Sequence, residues 1–484
     1  MRYDIIIIGA GLGGLTAGAK LAKQGKKILM VEQHDQPGGC ATTFKRKDFT
    51  FEVGLHEMDG LKNTDMKIKI FRDLEVFDSI EFLRVPEFYH FINERYQITI
   101  PHEIDLAKTV LYQNFPEEES GINAYFDQII NAKKKAKESA GKPDISLGEF
   151  LDTIIENEDL KLVLLGNLGY FHDNPYTVSL IYYSLAQARY YQGGGNFIKG
   201  GSQMLSNYLS DYISKNGGTV ILKHTVTEII TENNKAIGIK YQKNKKSAAE
   251  TFSAYADEII ANAAIPIVAN RLLPKEAGEK LNHSINKMKI GASLLTIYLG
   301  FNKKLKDIGS QYYSTFVFDD SIKTQADIIK NNKADFKERS FTFIDYSQVD
   351  SALTSEDKSV GVICCIDYYS DWEKLNDDEY KAKKKKVAEI YLTKLEKLIP
   401  GIKEYIEYVE VGTSKTIKHY TLNPEGAVYG FAQTPQRILY DKIETIDNLH
   451  FASAWTKVGG GFSGAIFSGY LCATNIIRKD RKKS

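Results

Sequence analysis

The hydrophobic pattern at the start of the chain predicts a strand, a helix and a second strand in close succession. Residues 5–8 are consecutive isoleucines, a continuous apolar run typical of a strand buried in a parallel sheet. Residues 15–24 have helical composition, Gly25 follows as a helix-ending residue, and residues 27–31 supply a second apolar run. We therefore expect a βαβ unit at this end of the chain.

Glycines connect the first predicted strand to the helix. Gly9, Gly11 and Gly14 have the spacing G-x-G-x-x-G, and Glu32 closes the second strand eighteen positions after Gly14. This order provides a tight turn, room for a pyrophosphate, close helix–strand packing and a carboxylate for ribose hydroxyls. The alternative is a coincidental glycine-rich turn, but the whole βαβ context favours a dinucleotide site.

Patterns in the middle of the chain change between strands and helices. Residues 215–241 alternate apolar and polar positions as in a β-meander, and a strand ending in small residues follows them. Residues 106–188 are mostly helical in pattern, whereas residues 291–415 begin with strand-like runs and continue with a long helix. An antiparallel sheet flanked by helices is the assembly that we expect from these two regions.

Residues 459–464, GGGFSG, lie close to the C-terminal end and precede a run that has the pattern of a helix. Glycine allows backbone to approach a ligand closely, and a helix N-terminus favours negative charge. This segment either holds part of an anionic cofactor or is a flexible tail. The dinucleotide motif at the other end of the chain favours the first interpretation.

Composition excludes several classes of protein. The formal charge is +1, from 63 basic and 62 acidic residues, so we expect no nucleic-acid partner. The 4 cysteines have no CxxC spacing, which favours a reducing, cytoplasmic compartment. We expect neither a signal peptide nor a membrane-spanning helix, because glycines interrupt the first apolar run and no later run reaches about 18 uncharged apolar residues.

Together these motifs resemble the two-dinucleotide-binding-domain flavoproteins, and within them the phytoene desaturase, carotenoid isomerase and retinol saturase group. The resemblance covers nearly the whole chain and rests on the segments YDIIIIGAGLGGLTAG, PGGCATTF, GGGNFIKGGSQMLSNYLSDYISKNGGTV, NPEGAVYGFAQTP and GGGFSGAIFSG. It implies an α/β fold with a Rossmann-like FAD-binding domain of the GR2 or amine-oxidase type, built from discontinuous segments, and a mixed α+β substrate-binding domain.

The resemblance also implies a division into domains. Residues 1–105, 189–290 and 416–484 would form the FAD-binding domain. Residues 106–188 and 291–415 would form the substrate-binding domain with its helical cap.

Cofactor-binding residues follow from the same resemblance. It implies that the first glycines face the pyrophosphate, that Glu32 holds the ribose, and that Val226 meets adenine through backbone groups. The chain departs from the family where many members carry Gly-Asp after the last strand, since Ala-Ser-Ala-Trp stands here and leaves Ser453 as the hydroxyl donor. The expected FAD-binding residues are Gly9, Gly11, Gly14, Glu32, Gly38, Gly39, Thr42, Val226, Ser453, Gly460, Phe462 and Ser463.

His56 and Glu57 are the first candidates for catalytic groups, because the resemblance places their segment near the flavin. A purely structural role for His56 is an equal alternative, and His172 and the pair His419–Tyr420 are weaker candidates. No HExxH motif is present, so no metal site is expected. Cys364 and Cys365 are adjacent in a strand pattern, which points their side chains to opposite faces and favours burial over a redox pair.

The resemblance implies an FAD-dependent oxidoreductase acting on C–C or C=C bonds of a long apolar substrate: a carotenoid, a retinoid or another polyene lipid. Desaturation, saturation and isomerisation all remain open, as does the electron partner, which is oxygen, a quinone or NAD(P)H. Peripheral contact with the inner face of the membrane would give access to such a lipophilic substrate. The alternatives are a flavin amine oxidase and a non-catalytic flavin- or lipid-binding protein.

Overall fold

The computed structural model describes residues 2–62, 65–139, 144–244, 250–437, 446–456 and 458–481. Within these ranges the chain contains both strands and helices. The strands are β1 (Arg2–Ile8), β2 (Ile28–Val31), β3 (Thr43–Arg46), β4 (Phe49–Glu52), β5 (Met58–Asp59), β6 (Phe82–Arg84), β7 (Tyr89–Ile92), β8 (Gln97–Ile100), β9 (Gly195–Ile198), β10 (Thr219–Ile221), β11 (His224–Glu232), β12 (Lys235–Lys243), β13 (Thr251–Ala261), β14 (Ser293–Phe301), β15 (Ser314–Val317), β16 (Phe341–Asp345), β17 (Ser359–Asp367), β18 (Ile406–Gly412) and β19 (Leu449–Phe451).

Helices cover both main sheets and form a separate cap. They are α1 (Leu12–Ala22), α2 (Met66–Asp73), α3 (Ile104–Asn114), α4 (Glu119–Ile130), α5 (Ala132–Glu138), α6 (Leu147–Ile154), α7 (Glu158–Leu164), α8 (Leu180–Gly193), α9 (Gln203–Lys215), α10 (Ile265–Ile267), α11 (Lys275–Ile285), α12 (Ile328–Asn332), α13 (Asp377–Leu398), α14 (Ser414–Thr421) and α15 (Gly461–Arg481). Helices α3 to α8 form the cap around an apolar core that they share with β7 and β8. Within the described residues, no helix has both the length and the apolar character needed to cross a membrane.

The first sheet is mainly parallel and contains the predicted βαβ unit. Its order is β10-β2-β1-β13-β12-β11, and β19 pairs with the second half of β13. Strand β1 lies between β2 and β13, with Ile6 opposite both Leu29 and Ile259. A strand flanked in this way is buried on both faces, which explains its unbroken run of isoleucines. The antiparallel β11–β12 pair confirms a hairpin in the segment predicted as a meander.

The second sheet has the order β18-β14-β17-β16-β15-β7-β8 and is antiparallel except where β15 pairs with β7. The long helix α13 packs on one face of it through Tyr391 and Leu395, both fully buried. Strands β7 and β8 belong to this sheet although they precede the boundary that we expected at residue 105. The short strands β7 and β8 gave no separate signal in the sequence, and the division into domains stays a prediction.

The C-terminal helix α15 crosses the N-terminal helix α1 at close range. A Cβ atom on Gly469 would lie 2.1 Å from the carbonyl oxygen of Gly13, and a Cβ atom on Gly13 would lie 2.2 Å from the carbonyl oxygen of Ala452. Only glycine allows backbones to approach this closely. The two ends of the chain are therefore held together, with the N-termini of both helices on the same side of the first sheet.

Candidate functional site

A cavity of about 490 Å³ lies where the parallel strands β1, β2, β13 and β19 end. In open α/β sheets this edge is the usual place for a ligand. The cavity wall includes most of the residues that we expected to bind the cofactor: Gly9, Gly11, Glu32, Gly38, Gly39, Val226, Ser453 and Phe462.

The turn from β1 to α1 brings bare backbone to this cavity. Gly9 has φ +90°, a conformation that favours glycine, and a Cβ atom there would lie 2.7 Å from the carbonyl oxygen of Asn262. Gly11 is the N-cap of α1 and offers no side chain to the first-turn N–H groups. These donors are unsatisfied within the helix and carry its positive dipole end, which suits a diphosphate.

Glu32 is fixed by two backbone donors at the end of β2. Its Oε2 accepts from the N–H of Ala10 at 2.6 Å, and its Oε1 accepts from the N–H of His34 at 2.8 Å. The side chain is buried and lies in the cavity wall. Each carboxylate oxygen can accept more than one hydrogen bond, so Glu32 can also accept from ribose hydroxyls.

Gly38 and Gly39 continue the cavity wall beside the first turn. Both have positive φ, +129° and +63°, and the N–H of Gly38 donates to the carbonyl oxygen of Ala10 at 2.7 Å. A Cβ atom on Gly38 would lie 2.2 Å from the carbonyl oxygen of Ala41. The two glycines therefore form a tight turn that brings backbone to the cavity wall.

Four expected cofactor residues lie outside the wall of this cavity: Gly460 and Ser463, which line the second cavity described below, and Gly14 and Thr42. A Cβ atom on Gly14 would lie 2.4 Å from the carbonyl oxygen of Gly9, so this glycine serves the packing of α1 on the turn. The hydroxyl of Thr42 donates to Gln203 Oε1 at 2.5 Å and accepts from the side-chain amide Nε2 of Gln36 at 2.7 Å. Gly14 and Thr42 therefore contact protein groups next to the turn. Their positions in the sequence motif do not distinguish such supporting residues from residues that contact the ligand.

A second cavity, of about 150 Å³, adjoins the first on the side of the second sheet. The two cavities share part of their walls, formed by Val53, Gly54, Leu294, Thr296, Tyr429, Gly461 and Phe462. The rest of the second wall is rich in aromatic and aliphatic side chains: Tyr170, Phe171, Tyr182, Ala186, Tyr190 and Ile366. His56, Glu57, Gly460 and Ser463 also line this second cavity, so the expected catalytic candidates lie beside the shared wall.

Comparison with known proteins agrees with this arrangement. Residues 12–477 match the family model described as flavin containing amine oxidoreductase. The chain belongs to the flavin-containing amine oxidoreductase family. It is 26% identical over 511 residues to prolycopene isomerase 2, chloroplastic, of an Oncidium hybrid cultivar, a match covering 98% of this chain and 84% of that protein.

Two further similarities extend over the whole chain. All-trans-retinol 13,14-reductase of Danio rerio is 25% identical over 537 residues, which cover 99% of this chain and 86% of the relative. The solved structure of wild-type putrescine oxidase bound to putrescine superposes with a TM-score of 0.68 at 14% identity, covering 99% of both chains. The latter similarity concerns the fold.

This protein is an FAD-dependent oxidoreductase, and its first cavity fits this cofactor. The donors of α1 and the Gly38–Gly39 turn suit the diphosphate, and the fixed carboxylate of Glu32 suits the adenosine ribose. At the same end of the cavity, Val226 of β11 and the ring of Tyr420 line the wall. Tyr420 therefore lies at the end of the cavity where we expect adenine, and it does not line the second cavity. His419 lines neither cavity.

The segment after β19 has Ser453 and Trp455 in the region where we noted the absence of Gly-Asp. Ser453 lies in the wall of the first cavity, and its Oγ accepts from the N–H of Trp455 at 3.3 Å. Its hydroxyl proton remains available for a ligand. The indole N–H of Trp455 donates to Asn423 Oδ1 at 3.3 Å, so this ring is held by protein and adds an apolar face to the wall.

A buried ionic cluster that the sequence did not reveal supports the start of α15. Asp59 accepts a hydrogen bond from the hydroxyl of Ser463, and the ammonium of Lys67 lies 3.5 Å from Asp59 Oδ1 and 3.0 Å from Asp65 Oδ2. Burial alone would raise the pKa of Asp59, but the charges of Lys67 and Arg189 lower it. Asp59 is therefore ionised and neutralised by protein cations, and it orients Ser463 beside Gly460 at the cavity.

His56 is held on the second cavity as a neutral side chain. Its Nδ1 lies 3.2 Å from the hydroxyl of Tyr170, and its carbonyl oxygen accepts from the hydroxyl of Tyr313 at 2.5 Å. Burial lowers the pKa of His56 to about 4. At neutral pH the ring is therefore uncharged, which suits an apolar cavity.

Glu57 occupies a pocket that a glycine provides. A Cβ atom on Gly195 would lie 1.8 Å from Glu57 Oε2, so only glycine at that position leaves room for the carboxyl group. Burial raises the pKa of Glu57 well above its ordinary value, and the carboxylates of Glu87 and Asp59 act in the same direction while Arg84 opposes them. Glu57 is thus a neutral carboxylic acid at neutral pH.

The remaining candidates, His172 and the two adjacent cysteines, are held by contacts with other protein groups. His172 lines neither cavity, and its Nδ1 accepts from the N–H of Asn174 at 3.1 Å. Cys364 and Cys365 are buried free thiols in the wall of the second cavity, and Cys365 accepts from the hydroxyl of Tyr391 at 3.1 Å. Burial raises the pKa of Cys365 to about 12, and the expected burial of both cysteines is confirmed.

Proposed function

We propose that this flavoprotein acts on carbon–carbon double bonds of a long apolar substrate of the polyene class. FAD supplies hydride donation or acceptance at carbon, and the protein supplies binding, orientation and exclusion of water. The observation that carries the proposal is the second cavity, which adjoins the cofactor cavity and is lined mainly by tyrosine, phenylalanine and aliphatic side chains. Such walls favour a flat, conjugated hydrocarbon.

The charged groups of this wall are already paired or neutral. Asp59 Oδ2 lies 4.0 Å from the guanidinium of Arg189, and Lys67 neutralises the same carboxylate. His56 and Glu57 are uncharged at neutral pH because burial disfavours their charged forms. An uncharged substrate therefore enters this cavity without leaving an unpaired charge in the wall.

The names of the two relatives point to the same substrate class. As their names state, one relative acts on prolycopene and the other on all-trans-retinol. Both molecules are conjugated isoprenoids. At 25–26% identity the particular substrate of this chain does not follow from them, so we extend only the class. The chain would bind a carotenoid-like or retinoid-like molecule with its conjugated segment beside the shared wall.

Amine oxidation is the second candidate, because putrescine oxidase shares the fold and Tyr182 and Tyr429 flank the shared wall here. Paired tyrosines could enclose an amine. A cationic amine, however, would find no unpaired carboxylate in the described part of the second cavity, since Asp59 is paired and Glu57 is neutral. The geometry therefore favours the polyene.

The test is to mix the holoenzyme under anaerobic conditions with polyenes and with amines. Oxidised and dithionite-reduced enzyme should each be offered prolycopene, all-trans-retinol and putrescine, with flavin absorbance followed in time and products separated by chromatography. We expect a polyene to change in double-bond number or geometry and putrescine to leave the flavin spectrum unchanged. Flavin bleaching by putrescine with no change in any polyene would contradict the proposal.

A further inference from the structure

One face of the second sheet forms the floor of the second cavity. On β17, Cys364 lies opposite Thr296 of β14 and Thr342 of β16, so these three residues form a row across neighbouring strands. Leu294 and Ile366 are the next pair along the same face, and all five residues line the second cavity. The floor of this cavity therefore has a polar row beside an apolar pair.

Alternation along β16 directs Thr342 towards the cavity. Its neighbours Phe341 and Phe343 are buried in the apolar core between the sheet and α13. Successive side chains of a strand point to opposite faces, so the side chain of Thr342 points to the cavity side. The residue is half-buried, and its hydroxyl has no hydrogen-bond partner among the described residues. Thr342 thus presents an unpartnered hydroxyl to the second cavity.

The two threonines of the row occupy different positions relative to the cofactor cavity. Thr296 lines both cavities, whereas Thr342 lines the second one alone. A Cβ atom on Gly412 of β18 would lie 2.7 Å from Thr296 Oγ1, so that hydroxyl lies towards β18. Neighbouring strands lie about 4.8 Å apart, so Thr342 and Thr296 are about 10 Å apart across β17. The unpartnered hydroxyl of Thr342 therefore lies on the side of the second cavity away from the shared wall.

Tyr190 of α8 brings another hydroxyl of this kind to the second cavity. The residue is 6% exposed, and its hydroxyl has no hydrogen-bond partner among the described residues. Buried tyrosines normally have such a partner, as Tyr313 and Tyr346 do by donating to backbone carbonyl oxygens. A pure hydrocarbon in this cavity would displace water from both hydroxyls and replace none of its hydrogen bonds, which costs free energy.

We propose that Thr342 is a specificity-determining residue, whose hydroxyl binds a hydroxyl group at one end of the polyene substrate. The inference rests on the proposed function and narrows its substrate class to polyene alcohols. A threonine hydroxyl both donates and accepts, which suits a neutral alcohol. A carboxylate would instead need a cation, and Arg189 of this wall already faces Asp59 at 4.0 Å. Bound at Thr342, the substrate extends its conjugated segment towards Thr296 and the shared wall.

The experiment compares two ligands with the same conjugated chain: all-trans-retinol and all-trans-axerophthene, the hydrocarbon in which a methyl group replaces the terminal CH2OH. Oxidised holoenzyme is titrated with each ligand under anaerobic conditions in one detergent, and quenching of tryptophan fluorescence gives Kd. The proteins are wild type, Thr342→Val, Thr342→Ser and the control Thr393→Val, at an exposed threonine of α13. FAD content is measured by absorbance, and Thr342→Ala replaces Thr342→Val if the valine variant loses FAD.

We expect Thr342→Val to raise Kd for all-trans-retinol about three- to tenfold, as for the loss of one neutral hydrogen bond. Its Kd for axerophthene should stay within about twofold of wild type, because that ligand has no hydroxyl group to bind. Comparing the two ligands between the two proteins cancels their different partition into detergent. Thr342→Ser should keep the wild-type preference for retinol, and Thr393→Val should match wild type for both ligands.

Three results would overturn the inference. An unchanged Kd for retinol in Thr342→Val, or an equal rise for both ligands, would show that the hydroxyl of Thr342 does not bind the alcohol, and would leave the proposed function standing. A wild type that binds neither ligand but converts prolycopene would also overturn the inference alone. A wild type that binds neither ligand and converts no polyene would contradict the proposed function itself, and the inference with it.

Discussion

The two adjoining cavities are built in different ways. At the end that suits the diphosphate, the first is formed by backbone, by glycines in tight turns and by the uncapped N-terminus of α1, so the donors at that end are fixed by the fold itself. The second is formed by side chains from β5, α8, β14, β17 and the segment before α15, which are distant in the chain. A wall of backbone suits a constant cofactor, whereas a wall of side chains can change with the substrate.

The largest effect that separates the two cavities is expected at Gly11. Replacement of Gly11 by Val places a branched side chain against Asn262, whose Nδ2 would lie 2.8 Å from even the first added carbon, and fills the space for the diphosphate. We expect complete loss of bound FAD, measured by absorbance of the purified protein. Gly169→Ala is the control in the second cavity, since its Cβ would meet only Ile366 at 4.0 Å, and it should retain FAD. A folded Gly11→Val protein that remains yellow would contradict the cofactor assignment.

The opposite result is expected when only the second cavity is filled. Ala186 of α8 is buried in its wall, and an Ala186→Phe side chain would occupy much of the 150 Å³ space. We expect FAD content to stay at the wild-type level and kcat/KM for a polyene to fall at least tenfold, whereas Ala186→Ser should change little. Loss of FAD from Ala186→Phe would show that the two cavities are not separable.

Mutation of the ionic cluster beside the shared wall should lower the free energy of unfolding. Asp59→Asn leaves Lys67, which has no exposed surface, with Asp65 as its remaining carboxylate. Loss of one partner of a buried pair costs about 3 kcal/mol, measured as the free energy of unfolding by denaturant titration. Asp257→Asn removes the exposed pair of Arg2 and Asp257, 2.6 Å apart, and should cost less than about 1 kcal/mol. Equal costs for the two variants would refute the buried character of the cluster.

A smaller effect is expected in the pH dependence of stability. Because burial raises the pKa of Glu57, the unfolded chain ionises above about pH 4.3 while the folded protein does not. The unfolded state then binds fewer protons, so this group lowers stability as pH rises, by up to about 1.4 kcal/mol per pH unit until the folded pKa is reached. Glu57→Gln should remove that slope and be more stable than wild type at pH 7. Parallel stability curves for the two proteins would contradict a neutral Glu57.

The first cavity could be predicted from the sequence because its parts are local. The turn glycines and Glu32 lie within one βαβ unit, and their spacing carries its own physical reason. Asn262 was missed, although it lies against Gly9 and Gly11, because nothing in the strand ending ANAA marks it as part of a turn 250 residues away. Its signal would have been an amide directly after a buried strand.

The second cavity could not be predicted in the same way. Its tyrosines appear in the sequence as ordinary core residues of α8, and only the packing of α8 against the shared wall turns Tyr182 and Tyr190 toward the second cavity. The role of Gly195 was likewise hidden, since a glycine that makes room for Glu57 has no local pattern. Contacts between distant segments determine the shape of this cavity, and such contacts cannot be predicted from a single sequence.

The most direct test of the central claim is the visible absorption spectrum of the purified protein, followed by the spectrum of its organic-solvent extract. The account predicts a flavin band in the protein and, when the protein is prepared with a polyene present, a structured polyene band in the extract of wild type that is missing from Ala186→Phe. A protein that takes up FAD but retains as much polyene in Ala186→Phe as in wild type would contradict the assignment of the second cavity to the substrate.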